Sequence, residues 1–134
     1  MKKYLLFSVL LIIVSIGCKE VDEVIDDIPY AVGISIEQPL ANSIININEA
    51  MSVKVNFTRD AEEVIHHVKI FIQDSDGNTI ETLLEAHAHT AGSFSYENLT
   101  AYIPTVAGTY KIRAVSHDMD VVYADPLEVE FTVQ

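Results

Sequence analysis

Beyond position 30, apolar and polar residues alternate with a period of two through most of the chain. Val32, Ile34 and Ile36 alternate with Gly33, Ser35 and Glu37, and the run stops at Gln38-Pro39. That is a half-buried strand ending where proline withdraws the next N–H donor. Met51, Val53, Val55 and Phe57 alternate with Ser52, Lys54 and Asn56. Val68, Ile70 and Ile72 alternate with His67, Lys69, Phe71 and Gln73, where Phe71 is the one apolar residue on the polar side. Tyr110, Ile112 and Ala114 enclose Lys111 and Arg113, and Leu127, Val129, Phe131 and Val133 enclose Glu128, Glu130 and Thr132. Weaker strands cover 79–86 and 93–103, the second needing a bulge because Phe94, Tyr96, Leu99 and Tyr102 break strict alternation. No stretch after position 17 sustains a helical apolar stripe. Seven strands with turn signals every 8–15 residues predict an antiparallel β-sandwich over residues 31–134.

The first seventeen residues follow another pattern. Lys2 and Lys3 precede a thirteen-residue apolar run, Tyr4 to Ile16, broken only by Ser8 and Ser15. The run is too short to span a bilayer as a helix and suits a secretory signal. It ends at Ser15-Ile16-Gly17-Cys18, which resembles the lipobox of bacterial lipoproteins, with Ser15 standing where Leu is usual. The resemblance implies removal of residues 1–17 as a signal peptide. It also implies acylation of Cys18 by palmitate-type chains, two or more of which hold a protein at a membrane where one would not.

Lys19, rather than Asp, follows Cys18, so the usual inner-membrane retention signal is absent and the outer membrane is the expected address. The tract Lys19-Glu20-Val21-Asp22-Glu23, continuing to Asp26-Asp27, has two readings. It looks like the Lys-plus-acidic signal that exports some lipoproteins to the cell surface, and it also reads as a solvated acidic tether. Residues 18–30 are read as a lipidated linker; its span over 19–30 is at most roughly 40 Å, at about 3.3–3.6 Å per residue.

Charge sharpens this division. The chain carries 8 Lys+Arg against 20 Asp+Glu, a formal −12 that becomes −14 once Lys2 and Lys3 leave with the signal. Five of the acids belong to the linker, so the domain holds 15 acids against Lys54, Arg59, Lys69, Lys111 and Arg113, a formal −10. Such a balance excludes a nucleic-acid partner, because phosphate backbones demand a basic face. Cys18 is the only cysteine, so no intrachain disulfide and no zinc-cysteine cluster can form.

The segment Pro104-Thr-Val-Ala-Gly108-Thr-Tyr110-Lys-Ile112 resembles the turn into the sixth strand of immunoglobulin-like domains. There a tyrosine caps the corner by bonding back to the main chain. Ile112 then stands where antibody domains place their second disulfide cysteine. Together with Val68-Lys-Ile-Phe-Ile-Gln-Asp-Ser-Asp-Gly-Asn78 and Gly108–Asp118, it is similar to the immunoglobulin-like domains of bacterial lipoproteins. The resemblance implies a fold and a location, and no activity.

Two regions carry candidate chemistry. Asp74, Asp76, Asn78 and Glu85 nearly copy the spacing of an EF-hand calcium loop, but Thr79 replaces the required glycine and both flanks read as strands. Asp-Gly-Asn between two strands is a hairpin turn, with Gly77 and Asn78 tolerating positive φ. The histidines are more informative. An antiparallel sandwich sends the second–third, fourth–fifth and sixth–seventh connections to one pole. His66 and His67 open the third strand, His87 and His89 follow the fourth, and His117 ends the sixth. All five histidines are therefore expected at that pole, with Glu62, Glu63, Asp118 and Asp120 beside them.

Imidazoles spaced like His87 and His89 suit zinc or copper, with carboxylates as further ligands. The candidate metal set is His87, His89, His117, His66, Asp118 and Asp120. His66 continues the parity of Val68 and His67 that of Lys69, so only one of the two can join. Periplasmic copper-binding sandwiches have a similar closing segment, Gly-Thr-Tyr followed by Ser-x-Asp. Their copper site, however, enlists a free N-terminal histidine, where this chain would present acylated Cys18.

Catalysis has little support. Ser116-His117-Asp118 is contiguous on a strand, so its side chains alternate between faces and form no triad. There is no Gly-x-Ser-x-Gly elbow, His-Glu-x-x-His helix or phosphate-cradling loop, and no tryptophan to stack a sugar beside paired acids. The expectation is a non-enzymatic outer-membrane lipoprotein, facing the periplasm or the cell surface. Its immunoglobulin-like domain would bind an envelope protein or an extracellular ligand. The alternative is a small envelope protein binding zinc or copper at the histidine pole.

Overall fold

The computed structural model describes residues 30–119 and 123–134, so the expected signal peptide, Cys18, residues 19–29 and Asp120 lie outside the described residues. Eight strands follow in order: β1 (Gly33–Gln38), β2 (Ser43–Ile45), β3 (Met51–Thr58), β4 (Val64–Asp74), β5 (Thr79–Ala91), β6 (Ser93–Tyr102), β7 (Gly108–His117) and β8 (Leu127–Val133). They form a three-stranded sheet, β1-β3-β6, and a five-stranded sheet, β2-β8-β7-β4-β5. This is an all-β, immunoglobulin-like sandwich. Among the described residues no helix is long and apolar enough to cross a membrane.

The alternation seen in the sequence becomes the two faces of each sheet. On β3, Met51, Val53, Val55 and Phe57 are buried while Ser52, Lys54 and Asn56 are half-exposed. On β4 and β7, Ile70, Ile72, Ile112 and Ala114 are fully buried against Phe131 and Val133 of β8. Each such Ile, Val or Phe side chain contributes about 1.5–3 kcal/mol by leaving water, which is what holds two sheets with no disulfide between them. Tyr110 is buried, and its hydroxyl donates to the Val106 carbonyl at 2.9 Å, the corner expected from the Pro104–Ile112 segment. Its ring stacks on Phe131 at 5.8 Å.

Three features differ from the expected seven-stranded antiparallel arrangement. β2 is an additional strand of three residues, too short to show a period, and it pairs in parallel with β8. β5 runs to Ala91 rather than ending at position 86, so His87 and His89 are strand residues and not loop residues. Tyr30, placed at the end of the linker by sequence, is 8% exposed and belongs to the core. Its hydroxyl shares a 2.9 Å hydrogen bond with Ser116 Oγ, which in turn donates to the His67 carbonyl at 2.7 Å. The bulge expected on the sixth strand of the structure is present. Met51 faces Tyr102 but Val53 faces Asn98, and Leu99 in between is left exposed.

The β4–β5 connection is a hairpin turn. Asp74 Oδ1 accepts from the backbone N–H groups of Asp76 and Asn78 at 3.0 and 2.8 Å, and Oδ2 accepts from the Asn78 side-chain amide at 3.0 Å. Gly77 takes a φ of 85°, the left-handed conformation that glycine adopts without steric cost; Asn78 does not. The Asp74 carboxylate is therefore spent on its own turn.

Candidate histidine site and the outer sheet face

Ile65 and Val68 are both buried, with two residues between them instead of one. Strict alternation would allow only one of the pair inside. Opposite this stretch β5 carries one extra residue between Thr90 and His87, where His89 takes a φ of 43°. The extra residue sets His87 opposite His67, which leads Lys69, Phe71 and Gln73 along the outer face. His67 is in register with His87 of β5 on one side and with His117 of β7 on the other. Directly opposed residues on neighbouring strands share a face. Three imidazoles thus form a row across three adjacent strands.

The ring geometry is close. His67 meets His87 edge to face at 3.7 Å between centroids and stacks on His117 at 4.4 Å with 5° between planes. His87 contacts His89 at 5.0 Å, and His89 contacts His66 edge to face at 5.3 Å. Tyr30 closes one end of this chain, 6.1 Å from His66, and Tyr123 the other, 5.2 Å from His117. The expected gathering of all five histidines at one pole is what the structure shows. The His67 imidazole is held below its ordinary pKa, first by desolvation and then by its neighbours His87, His117, His89 and His66. His117 Nδ1 lies 2.9 Å from the Asp118 carbonyl, an oxygen that only accepts, so Nδ1 is the donor in this contact.

The partnership is narrower than the candidate set read in the sequence. His67, not His66, joins the row with His87 and His117, because His67 shares the outward parity of Lys69 and the register sets His87 and His117 opposite it. His66 instead pairs with His89; its backbone N–H donates to the Tyr30 hydroxyl at 3.2 Å, and its buried Nδ1 has no hydrogen-bond partner among the described residues. Asp118 follows the row half-buried. Among the described residues no three His, Cys, Asp or Glu side chains are grouped so as to hold a metal ion. For His67 and His117 the stacking is one reason, since imidazole lone pairs lie in the ring plane and these two parallel rings send them along parallel lines rather than to one point.

The outer face continues below the row. Lys69 Nζ lies 3.2 Å from Glu85 and 5.7 Å from the Phe71 ring centroid. Arg113 Nη1 lies 2.9 Å from Glu128, whose other oxygen takes Lys111 at 3.3 Å. Beside them a groove of about 480 Å³ is bounded by Lys69, Phe71, Gln73, Arg113, Val115 and Tyr123. A larger recess of about 670 Å³ opens at the histidine pole beside Tyr30 and Arg59 and includes Asp60, Glu63 and Asp125. Arg59 is already committed there: it donates to the Ala31 and Val64 carbonyls, pairs with Glu63 at 3.1 Å and covers the Tyr30 ring at 4.6 Å. Alternation placed Phe71 outward in the sequence; the groove it floors needed strand order.

No family model matches the chain, and no curated protein matches it. Among solved structures it is similar in fold to fibronectin(III)-like modules from Clostridium thermocellum, at 16% identity and a TM-score of 0.49, covering 78% of this chain and 47% of that one. A CARDB domain from Pyrococcus furiosus, solved in complex with di-metal ions, gives 13% identity and a TM-score of 0.49 over 78% of this chain and 86% of that one. The PKD domain of an M14-like peptidase from a Thermoplasmatales archaeon gives 16% and 0.42, over 77% and 92%. The chain spans less than half the length of the Clostridium structure. These likenesses concern the fold alone.

Proposed function

We propose that the chain is an outer-membrane lipoprotein, acylated at Cys18, whose immunoglobulin-like domain is a non-enzymatic binding module. Its recognition surface is the outer face of the five-stranded sheet. One observation carries this reading. In a domain of formal charge −10, that face gathers three of the five basic residues, Lys69, Lys111 and Arg113, with Phe71 and the row His67, His87 and His117. Outward aromatic and cationic side chains on interior strands do nothing for the core, and they are the residue types that binding surfaces favour.

Two measurements test it. Cys18→Ser should abolish incorporation of labelled palmitate and release the protein from outer-membrane fractions; unchanged fractionation would reject the anchor. A photo-crosslinking residue at Val115, on the face, should yield an adduct in intact cells that the same residue at Ser52, on the other sheet, does not. Equal or absent adducts would reject the face.

The convergence of five imidazoles favours a second reading, a zinc or copper site formed when the His67, His87 and His117 rings turn out of their stack. The row supplies three ligands of the right kind from adjacent strands, and His117 has Nε2 available. Calorimetric titration of zinc and of copper should give micromolar or tighter binding that His67→Ala weakens at least tenfold. Millimolar binding, or binding that the substitution leaves unchanged, would reject the site.

A further inference from the structure

We infer that the outer-face groove between Lys69 and Arg113 binds an anionic saccharide, a chain of carboxylate-bearing sugars. The inference rests on the outer face being the recognition surface, and names its ligand class.

Charge complementarity is the first argument. The domain has three acids for every base, yet among the described residues the groove has Lys69 and Arg113 on its walls and no carboxylate. The recess at the pole is the reverse, with Asp60, Glu63 and Asp125 around an arginine whose guanidinium is already engaged. An anion is repelled from that recess and drawn to the groove. The cations there are not silenced by their neighbours. Glu85 is a mostly exposed partner of Lys69, and such pairs contribute little and exchange readily with a competing anion. Glu128 is divided between Arg113 and Lys111, so Arg113 holds a single carboxylate oxygen, through Nη1.

The position of the groove in the fold selects a saccharide over a peptide. Its floor and walls come mainly from β4 and β7, which are interior strands: β4 is paired on both sides by β5 and β7, and β7 by β4 and β8. Their backbone N–H and C=O groups are consumed in the sheet, so nothing remains to pair an extended peptide, which docks by adding a strand at an edge. Recognition here is by side chains alone. Phe71 offers an apolar surface for the C–H face of a sugar ring, and the Tyr123 hydroxyl suits its hydroxyls, as does the Gln73 side-chain oxygen, whose amide is held by the Gly77 carbonyl at 2.8 Å. Lys69 and Arg113 suit its carboxylates, Arg113 through its planar fork. A volume of about 480 Å³ is within the range of small-ligand clefts.

The test uses the full chain in detergent and calorimetric titration with three probes: trigalacturonate, its methyl ester, and an oligoglutamate of equal charge. Trigalacturonate should bind with a sub-millimolar Kd, at least tenfold tighter than the uncharged ester or the peptide. Lys69→Gln and Phe71→Ala should each weaken it at least fivefold, with thermal unfolding confirming that both variants fold. Absence of binding, equal binding of the ester, tighter binding of oligoglutamate, or an unaltered Kd in both variants overturns the inference. The photo-adduct at Val115 separates the two levels: with the adduct but no trigalacturonate binding, the face stands and the ligand class falls, whereas loss of the adduct removes the face itself.

Discussion

His67 of β4 and His117 of β7 stand directly opposite each other, their rings 4.4 Å apart and within 5° of parallel. With His87 edge-on at 3.7 Å, the central imidazole is enclosed by two others, an environment that penalises its proton.

The first prediction follows from that enclosure. In a proton NMR titration with chelator present, the His67 ring should titrate below the ordinary histidine value of about 6.5, and His87→Ala should move it back up. Because the folded state binds this proton less readily than the unfolded chain, the contribution to stability is intact above about pH 6.5. It is lost as pH falls from there through the lower folded value. A His67 midpoint at or above 6.5 would contradict the packing described.

Tyr110→Phe keeps the ring on Phe131 and deletes only the bond to the Val106 carbonyl. Urea denaturation should show a loss of about 0.5–1.5 kcal/mol with an unchanged m-value. A neutral substitution would mean that the corner is held by packing alone.

Tyr30→Phe removes the hydroxyl that links Ser116 to the His66 backbone N–H. The expected cost is about 1–3 kcal/mol, since a buried donor loses its partner. Hydrogen exchange should rise first at the start of β4. Protection unchanged there would show that Tyr30 is an appendage of the linker after all.

The Asp74 carboxyl is held below the usual carboxylate range, chiefly by the Asn78 side chain, then by the Asn78, Asp76 and Gly77 backbone. A group stabilised in its charged form contributes stability above its unfolded value, about 3.9, and loses it as pH falls through the lower folded value. Asp74→Ala should therefore lower Tm at pH 7 and flatten the decline of Tm below pH 4. Equal Tm at pH 7 would show that the turn closes without this carboxylate.

The sandwich was legible along the chain because burial on one face of a strand imposes a period of two, and seven of the eight strands are long enough to display it. Tyr110 was legible because its neighbours Pro104 and Gly108 mark a turn. β2 was not, since three residues carry no period and its parallel partner β8 lies more than eighty positions away. Tyr30 was not either, because a single tyrosine after an acidic run gives no sign that Ser116 waits across the core.

The sequence by itself determined the alternating faces and the pole to which five histidines are sent. Which histidines meet was decided by tertiary structure. One extra residue in β5 between His87 and Thr90 sets His87, rather than Ala88, opposite His67. The groove was decided there as well. Lys69 and Arg113 are far apart along the chain, and only the pairing of β4 with β7, fixed by the burial of Ile70, Ile72, Ile112 and Ala114, sets them on one surface.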